Sequence, residues 1–280
     1  MKSNANKEKL CQLLTSQNMG QMFQMIMRDV SHDEADIVLV KHFLEMDENG
    51  AKVVQILSDD TDVFILLTYW TWRKQPQADI LIEEWDGTVL NIKETVRMLG
   101  DKCMGLLSIH ALSGCDTVSF PCGKGKVSAL KVLESTQDIE FELIGDENTS
   151  KTELLDVARQ FFLALYGQKN AKTLAQARFN IFKKRTKPPQ LKNLPPTEQN
   201  FIYHALRAHL QVMIWKAADK DGPPSLTRDL TEFGWSVGSA IMPKISLQPM
   251  APPMLMDIVS CGCSSEGKVR MISVFALDQI

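Results

Sequence analysis

The feature that most constrains the fold is a short apolar run that ends in a cluster of carboxylates. Residues 52–57 read KVVQIL, and the chain continues as SDDTD. A run this short, rich in β-branched residues and apolar almost throughout, predicts a strand buried on both faces of a parallel sheet. Aspartate is a poor strand former and its charge is costly away from water, so the strand should end where the acids begin.

The flanking segments predict helices and a further strand. Ser31 and Glu34 fit a capping box before the apolar segment DIVLVKHFLEM, which predicts a helix that starts there. A second strand is predicted over residues 80–84, and a helix interrupted at Gly100 is predicted over residues 91–112. This alternation predicts an α/β fold, with a parallel sheet flanked by helices and carboxylates at its strand ends.

Composition narrows the class of protein. The chain has 280 residues, of which 44% are hydrophobic and 23% are charged, so it can bury a large core. Its apolar runs are too short to cross a bilayer, and its N-terminal residues lack the apolar stretch of a secretory signal. Six cysteines in a chain of this length do not indicate a disulfide framework. We therefore expect a soluble intracellular protein with mostly free thiols.

Charge is unevenly distributed, although the net charge is only −3. Residues 28–66 contain ten Asp or Glu against three Lys or Arg, whereas residues 169–192 contain eight Lys or Arg and no acid. The acidic region should attract cations. The basic region is either a contact for a phosphate backbone or a solvated face.

Asp60 and Asp62 stand at the predicted end of the first strand, where open α/β sheets bind ligands. If the chain stays extended there, the two side chains project to the same side and need a cation or a shared proton. Mg²⁺ or Mn²⁺, bound by carboxylate oxygens and water, would satisfy them. The alternative is a turn that ends the strand and whose aspartates cap backbone amides.

A second segment adds a related pattern. Residues 106–133 read LLSIHALSGCDTVSFPCGKGKVSALKVL, with an apolar lead-in, a Gly-Cys-Asp corner and a Gly-Lys-Gly-Lys turn before a predicted helix. Together with DEADIVLV at 33–40 and SDDTDVFILL at 58–67, this segment resembles the flap-endonuclease branch of the 5′-nuclease, or PIN-like, superfamily. In that family an E-A-E/D pair, a D-x-D at a strand end and a G-[SC]-D corner precede a G-x-G-x helix–two-turn–helix.

The resemblance implies a PIN-like parallel sheet and a metal-dependent nuclease site. The carboxylates that match the family motif would hold two divalent cations, Mg²⁺ or Mn²⁺, for phosphodiester hydrolysis. They are Glu34, Asp36, Asp60, Asp62 and Asp116. Gly123 and Gly125 would let the backbone approach a phosphate or a bound K⁺, and Lys124 and Lys126 would add positive charge beside the nucleic acid.

A narrower resemblance is to animal proteins associated with mobile elements, which carry H-x-E-A-D, S-D-D-T-D-V and H-A-L-x-G-C-D-T segments. In the nuclease family a strand with an early aspartate precedes the E-A-E/D helix, whereas about thirty residues stand there in this chain. The resemblance thus implies an N-terminally truncated nuclease domain, either impaired in catalysis or reduced to a module that binds nucleic acid or protein. The implied partner is branched or single-stranded DNA or RNA. This substrate and KKRTK at 183–187 favour the nucleus.

The rest of the chain predicts a mainly helical region. Helices with an apolar stripe are predicted over residues 152–167 and 197–218. His204 and His209 diverge around the second helix, which argues against a metal pair. The predicted divisions are 1–30 (irregular or weakly helical), 31–150 (PIN-like core), 151–186 (helical extension), 187–196 (Pro-rich linker) and 197–280 (helical and irregular).

Overall fold

The chain forms two compact units in the computed structural model. The residues that the structure describes are 35–184, 190–220, 229–238 and 240–247. Of these, residues 35–95 and 218–220 belong to the first unit, and the others belong to the second. The predicted capping box of Ser31 and Glu34 lies outside the described residues.

A small mixed sheet forms the centre of the first unit. β1 (Val53–Leu57) pairs in parallel with β2 (Asp79–Glu83). β3 (Val89–Asn91) pairs with the other side of β2 in the antiparallel sense, so the strand order is β1-β2-β3. The predicted strands at 52–57 and 80–84 are confirmed, but the sheet is mixed and not wholly parallel, because β3 runs antiparallel to β2.

Two helices accompany this sheet. α1 (Ala35–Glu48) is the helix predicted before the first strand, and α2 (Thr61–Lys74) begins directly after the acidic residues. The helices pack against each other. Each contributes a large aromatic side chain that is almost completely buried, Phe43 from α1 and Trp70 from α2. This apolar layer forms the core of the first unit.

β1 is buried on one face only. Val54 and Ile56 are buried, whereas Val53 and Leu57 are 52% and 53% exposed. The prediction of a strand buried on both faces is therefore wrong. Because side chains alternate along a strand, Val53 and Leu57 lie on the face opposite Val54 and Ile56, and the described residues leave the side chains of Val53 and Leu57 about half exposed.

The chain becomes helical directly after Asp60, whereas one interpretation of the sequence is an extended chain over Asp60 and Asp62. Asp60 keeps extended backbone angles, with φ −80° and ψ 125°, but it is the N-cap of α2, so Asp62 lies in the first turn of a helix. α2 reads TDVFILLTYWTWRK, and its β-branched and aromatic residues have modest helix propensity. Seven of its residues are buried, so burial outweighs propensity in this segment.

Helices dominate the second unit. α3 (Ile92–Leu99) begins in the first unit and ends in the second, and it is followed by a 3₁₀ helix at Gly100–Gly105 and by α4 (Leu106–Leu112). The predicted interruption at Gly100 is confirmed, and this glycine has a φ of +56°. The helices that follow are α5 (Lys126–Ser135), α6 (Lys151–Leu165), α7 (Leu174–Lys184) and α8 (Glu198–Lys216).

α8 is the helix on which α4 and α6 pack. Phe162 of α6 and Phe201 of α8 meet edge to face, with ring centroids 5.7 Å apart. Near the other end of α8, the buried Trp215 ring lies 5.4 Å from the ring of His110 in α4. α6 and α8 confirm the helices predicted over residues 152–167 and 197–218.

A short hairpin follows in the second unit, where only helical and irregular structure was predicted. β4 (Trp235–Val237) and β5 (Ile241–Pro243) pair in the antiparallel sense. The fold is thus mixed α/β and rich in helix, with a three-stranded mixed sheet in its first unit. Among the helices of the described residues, none is long and apolar enough to cross a membrane.

Candidate nucleic-acid and metal site

The acidic turn, residues 58–62, is held by hydrogen bonds to backbone amides. Oδ1 of Asp60 accepts from the amide of Asp62 at 2.8 Å, and Oγ of Ser58 accepts from the amide of Asp60 at 3.0 Å. Oδ1 of Asp59 accepts from the amide of Trp85, in the turn between β2 and β3, at 2.8 Å. Two of the three aspartates therefore stabilise the backbone, as the capping alternative predicts.

The same turn also places carboxylates where α/β sheets bind ligands. Asp60 is exposed and follows the carboxyl end of β1, while Asp62 is half-buried in the first turn of α2. Negative charge at this position is stabilised by the dipole of α2. Capping and the helix dipole explain how the charges of Asp60 and Asp62 are stabilised by the protein itself. Both carboxylates also lie at the edge of the sheet where a ligand is expected.

The remaining motif carboxylates are divided between the two units. Asp36 lies in the first turn of α1, half-buried, and Glu34 lies outside the described residues. Asp116 belongs to the second unit. In the part of the chain that the structure describes, no group of three or more His, Cys, Asp or Glu side chains is arranged to hold a metal ion. Carboxylate oxygens suit Mg²⁺ and Mn²⁺, so the donor type fits, but the described residues supply no complete ligand set.

The Gly-Cys-Asp corner, residues 114–119, is a tight turn after α4. Cys115 and Val118 exchange two backbone hydrogen bonds of 3.0 Å, and Asp116 between them is exposed. Gly114 has a φ of +102°, and a Cβ at this position would lie 2.8 Å from Cα of Phe120. Both the backbone conformation and the close approach require glycine here. The corner therefore presents Asp116 from a rigid turn.

Side chains of α8 hold this corner. The hydroxyl of Thr117 donates to Oε1 of Gln211 at 2.6 Å. Nδ1 of His204 lies 3.2 Å from the hydroxyl of Ser119, and Nε2 lies 3.0 Å from the carbonyl oxygen of Leu112. Because a carbonyl oxygen can only accept, Nε2 carries the proton and Nδ1 accepts from Ser119. The position of the corner thus depends on two polar residues of a distant helix.

His204 is kept neutral in this arrangement. Its burial lowers its pKa to about 4; the hydrogen bond to Leu112 opposes this shift, and the charge of Arg207 adds to it. Sequence reasoning did not place His204 or Gln211 at the site and treated His204 as an ordinary helix residue. A signal was present, because both residues fall on the apolar stripe of α8, where a polar side chain needs a hydrogen-bonding partner.

The Gly-Lys turn, residues 123–126, leaves open space around both of its glycines. Gly123 has a φ of +70°, and Gly125 is the N-cap of α5 without a side-chain cap. No atom lies within 4 Å of a Cβ placed at either residue. A ligand could therefore approach the backbone closely at the start of α5.

The two lysines of this turn have different contacts. Nζ of Lys126 donates to the carbonyl oxygens of His110, at 2.8 Å, and of Gly114. Its charge thus stabilises the carboxyl end of α4. Nζ of Lys124 lies 5.2 Å from the centre of the Tyr166 ring. A contact with a ring face leaves an ammonium able to donate hydrogen bonds, so Lys124 is the better placed of the two to contact a phosphate.

No family model, no curated protein and no solved structure matches this chain. The resemblance to flap endonucleases therefore rests on the order and spacing of the motif residues, and it stays a prediction.

Proposed function

We propose that the protein binds nucleic acid and hydrolyses phosphodiester bonds with Mg²⁺ or Mn²⁺, in the manner of flap endonucleases. The observation that carries the proposal is the position of Asp60 and Asp62 at the carboxyl end of β1. Asp116, exposed on a rigid corner, would supply a further carboxylate. Branched or single-stranded DNA or RNA is the proposed substrate, and the nucleus is the proposed compartment.

Each carboxylate has a role in this proposal. The chemistry that the bound cations supply is activation of a water and stabilisation of the leaving oxygen. All five motif carboxylates would bind the cations directly or through water: Glu34, Asp36, Asp60, Asp62 and Asp116. Carboxylates gathered in one site repel each other, and a divalent cation offsets that repulsion.

The start of α5 is the proposed contact for the phosphate backbone. The amides of its first turn have no side-chain cap at Gly125, and the helix dipole favours an anion there. Lys124 would add a hydrogen-bonding charge, while Lys126 would fix the turn through its bonds to the end of α4. Gly123 and Gly125 would hold a K⁺, which would add positive charge for the phosphate backbone.

A second candidate function is a non-catalytic module that binds nucleic acid or protein. It is favoured by the hydrogen bonds of the acidic turn, where Asp59 and Asp60 accept from backbone amides. The described residues also contain no group of three potential metal ligands. If these aspartates serve only as caps, the protein would keep the Gly-Lys turn as a contact for nucleic acid but would not hydrolyse phosphodiester bonds.

A cleavage assay on flapped and single-stranded DNA separates the two functions. The nuclease should cut in Mg²⁺ and stop when a chelator is added. Asp60→Asn preserves the cap, because Asn caps as well as Asp, but it removes the charge. This variant and Asp116→Asn should each lower the cleavage rate by roughly 100-fold or more.

Asp138 provides the matched control, because it is an exposed acid of the second unit outside the motif. Asp138→Asn should cut like the wild type. If the wild type never cuts but binds DNA with a strong salt dependence, the binding module is the correct function. A protein that neither cuts nor binds nucleic acid would contradict both.

A further inference from the structure

One edge of β1 has no partner strand among the described residues. The bonds at the ends of the strand identify which residues face β2. The amide of Asp79 donates to the carbonyl of Lys52 at 2.9 Å, and the amide of Ser58 donates to the carbonyl of Glu83 at 3.0 Å. In a parallel ladder, the backbone groups of alternate residues bond to the same neighbouring strand. The amides and carbonyls of residues 52, 54, 56 and 58 therefore face β2.

The amides and carbonyls of Val53, Gln55 and Leu57 therefore point to the open edge. Within the described residues, none of these backbone groups has a hydrogen-bonding partner. The strand reads VVQIL, without proline or charge, although proteins usually protect an exposed edge with such residues or with a bulge. Val53 and Leu57 also remain about half exposed. An edge with these properties is suited to pairing with another strand.

We propose that this edge pairs with β1 of a second copy of the chain, in the antiparallel sense and centred on Gln55. In this register Val53 lies opposite Leu57 of the second copy, and Gln55 lies opposite its own equivalent. Residues that face each other in this way exchange both hydrogen bonds, so every open amide and carbonyl of the strand gains a partner.

The sequence of the strand supports a second copy as the occupant. A twofold contact must be self-complementary, because residue i meets residue j while j meets i. Two apolar residues flank Gln55 on each side, so apolar side chains meet apolar side chains on both sides of the central Gln55 pair. At each end, the exposed Lys52 lies opposite Ser58 of the second copy, where the acidic turn begins. Unlike charges therefore approach each other across the seam, which favours this pairing.

The pairing would join two three-stranded sheets into one sheet of six strands. Residues that face each other across an antiparallel pair lie on the same side, so Val54 and Ile56 of both copies keep their helices on one face. On the other face, the half-exposed Val53 and Leu57 form one apolar strip across the seam. Five-residue strands bury a small area, so we expect a transient dimer with a Kd of about 1 to 100 µM.

Sedimentation of the full chain with charged variants tests this pairing. Val53→Lys with Leu57→Lys places like charges opposite each other at both ends of the seam, and so does Val53→Glu with Leu57→Glu. Each double variant alone should be monomeric. An equimolar mixture of the two should form a heterodimer, because lysine then meets glutamate at every contact.

Val89→Lys is the matched control, because Val89 is 51% exposed on the same face but lies on β3, away from the seam. It should dimerise like the wild type. Gln55→Pro provides a second test without added charge, since the lost amide faces the open edge, and it should abolish the dimer. Circular dichroism should remain unchanged in all variants.

Three results would overturn the proposal. The first is a wild type that stays monomeric up to about 100 µM, which would leave the edge for another strand. The second is a dimer that persists in both charged variants, because another surface would then form it. The third is a failure of the two charged variants to associate when they are mixed.

Discussion

The acidic turn of the first unit and the Gly-Cys-Asp corner of the second unit both present motif carboxylates, but they are held in different ways. In the acidic turn, Asp60 accepts from an amide two residues away. In the corner, Thr117 and Ser119 are bonded to side chains 94 and 85 positions further along the chain. The first depends mainly on local hydrogen bonds, and the second depends on the packing of α4 and α8.

This difference predicts different sensitivities. A local cap survives as long as its helix forms, so changes in the acidic turn should have small effects on stability. A buried polar contact between distant elements is lost with the packing around it, and leaving its partners unsatisfied is costly. Acid and mutation should therefore affect the corner more strongly than the acidic turn.

The largest expected effect is acid destabilisation through His204. Its pKa is lowered from 6.5 to about 4 in the folded protein. Between these values the unfolded chain binds more protons, so the free energy of unfolding should fall by roughly 3 kcal/mol as the pH drops from 6.5 to 4. Urea denaturation followed by tryptophan fluorescence should show about 2 kcal/mol of this loss between pH 7 and pH 5.

His204→Gln should remove most of this pH dependence, because glutamine can donate to the carbonyl of Leu112 without titrating. His42→Gln is the matched control, since His42 lies in α1 of the first unit, and it should keep the acid sensitivity of the wild type. Equal pH dependence in the wild type and in His204→Gln would contradict the role of the buried imidazole.

A smaller effect is expected at the cap of α2. Asp60→Ala removes the acceptor for the amide of Asp62 and should lower the free energy of unfolding by about 1 kcal/mol. Asp60→Asn keeps an acceptor and should lower it by only about 0.3 kcal/mol. Thermal denaturation of the two variants measures the difference. A similar loss in both would mean that charge, and not capping, is what Asp60 contributes to stability.

Much of the fold could be predicted from local patterns. α1, β1, β2 and the interruption at Gly100 follow from apolar patterns, from β-branched residues and from a glycine inside a helical pattern. α2 could not be predicted in this way, because its β-branched and aromatic residues also suit a strand. Burial of one side of the helix, which packs against α1, decides its structure, and this burial is a tertiary property.

The burial of β1 on one face only could also not be predicted from the sequence. An apolar run does not reveal whether both faces of its strand are covered, and VVQIL leaves Val53 and Leu57 exposed. At the corner, the glycine turn could be predicted from Gly-Cys-Asp, but its supports on α8 could not. Hydrogen bonds such as the one from Thr117 to Gln211 join residues that no local pattern relates.

The central proposal is that carboxylates of the acidic turn and of the corner are ligands of divalent cations. Calorimetric titration of the full chain with Mn²⁺ tests it most directly. We expect saturable binding that Asp60→Asn and Asp116→Asn each weaken by about tenfold or more, while Asp138→Asn leaves it unchanged. The claim would be contradicted if the wild type bound no Mn²⁺, or if neither Asp60→Asn nor Asp116→Asn changed the affinity.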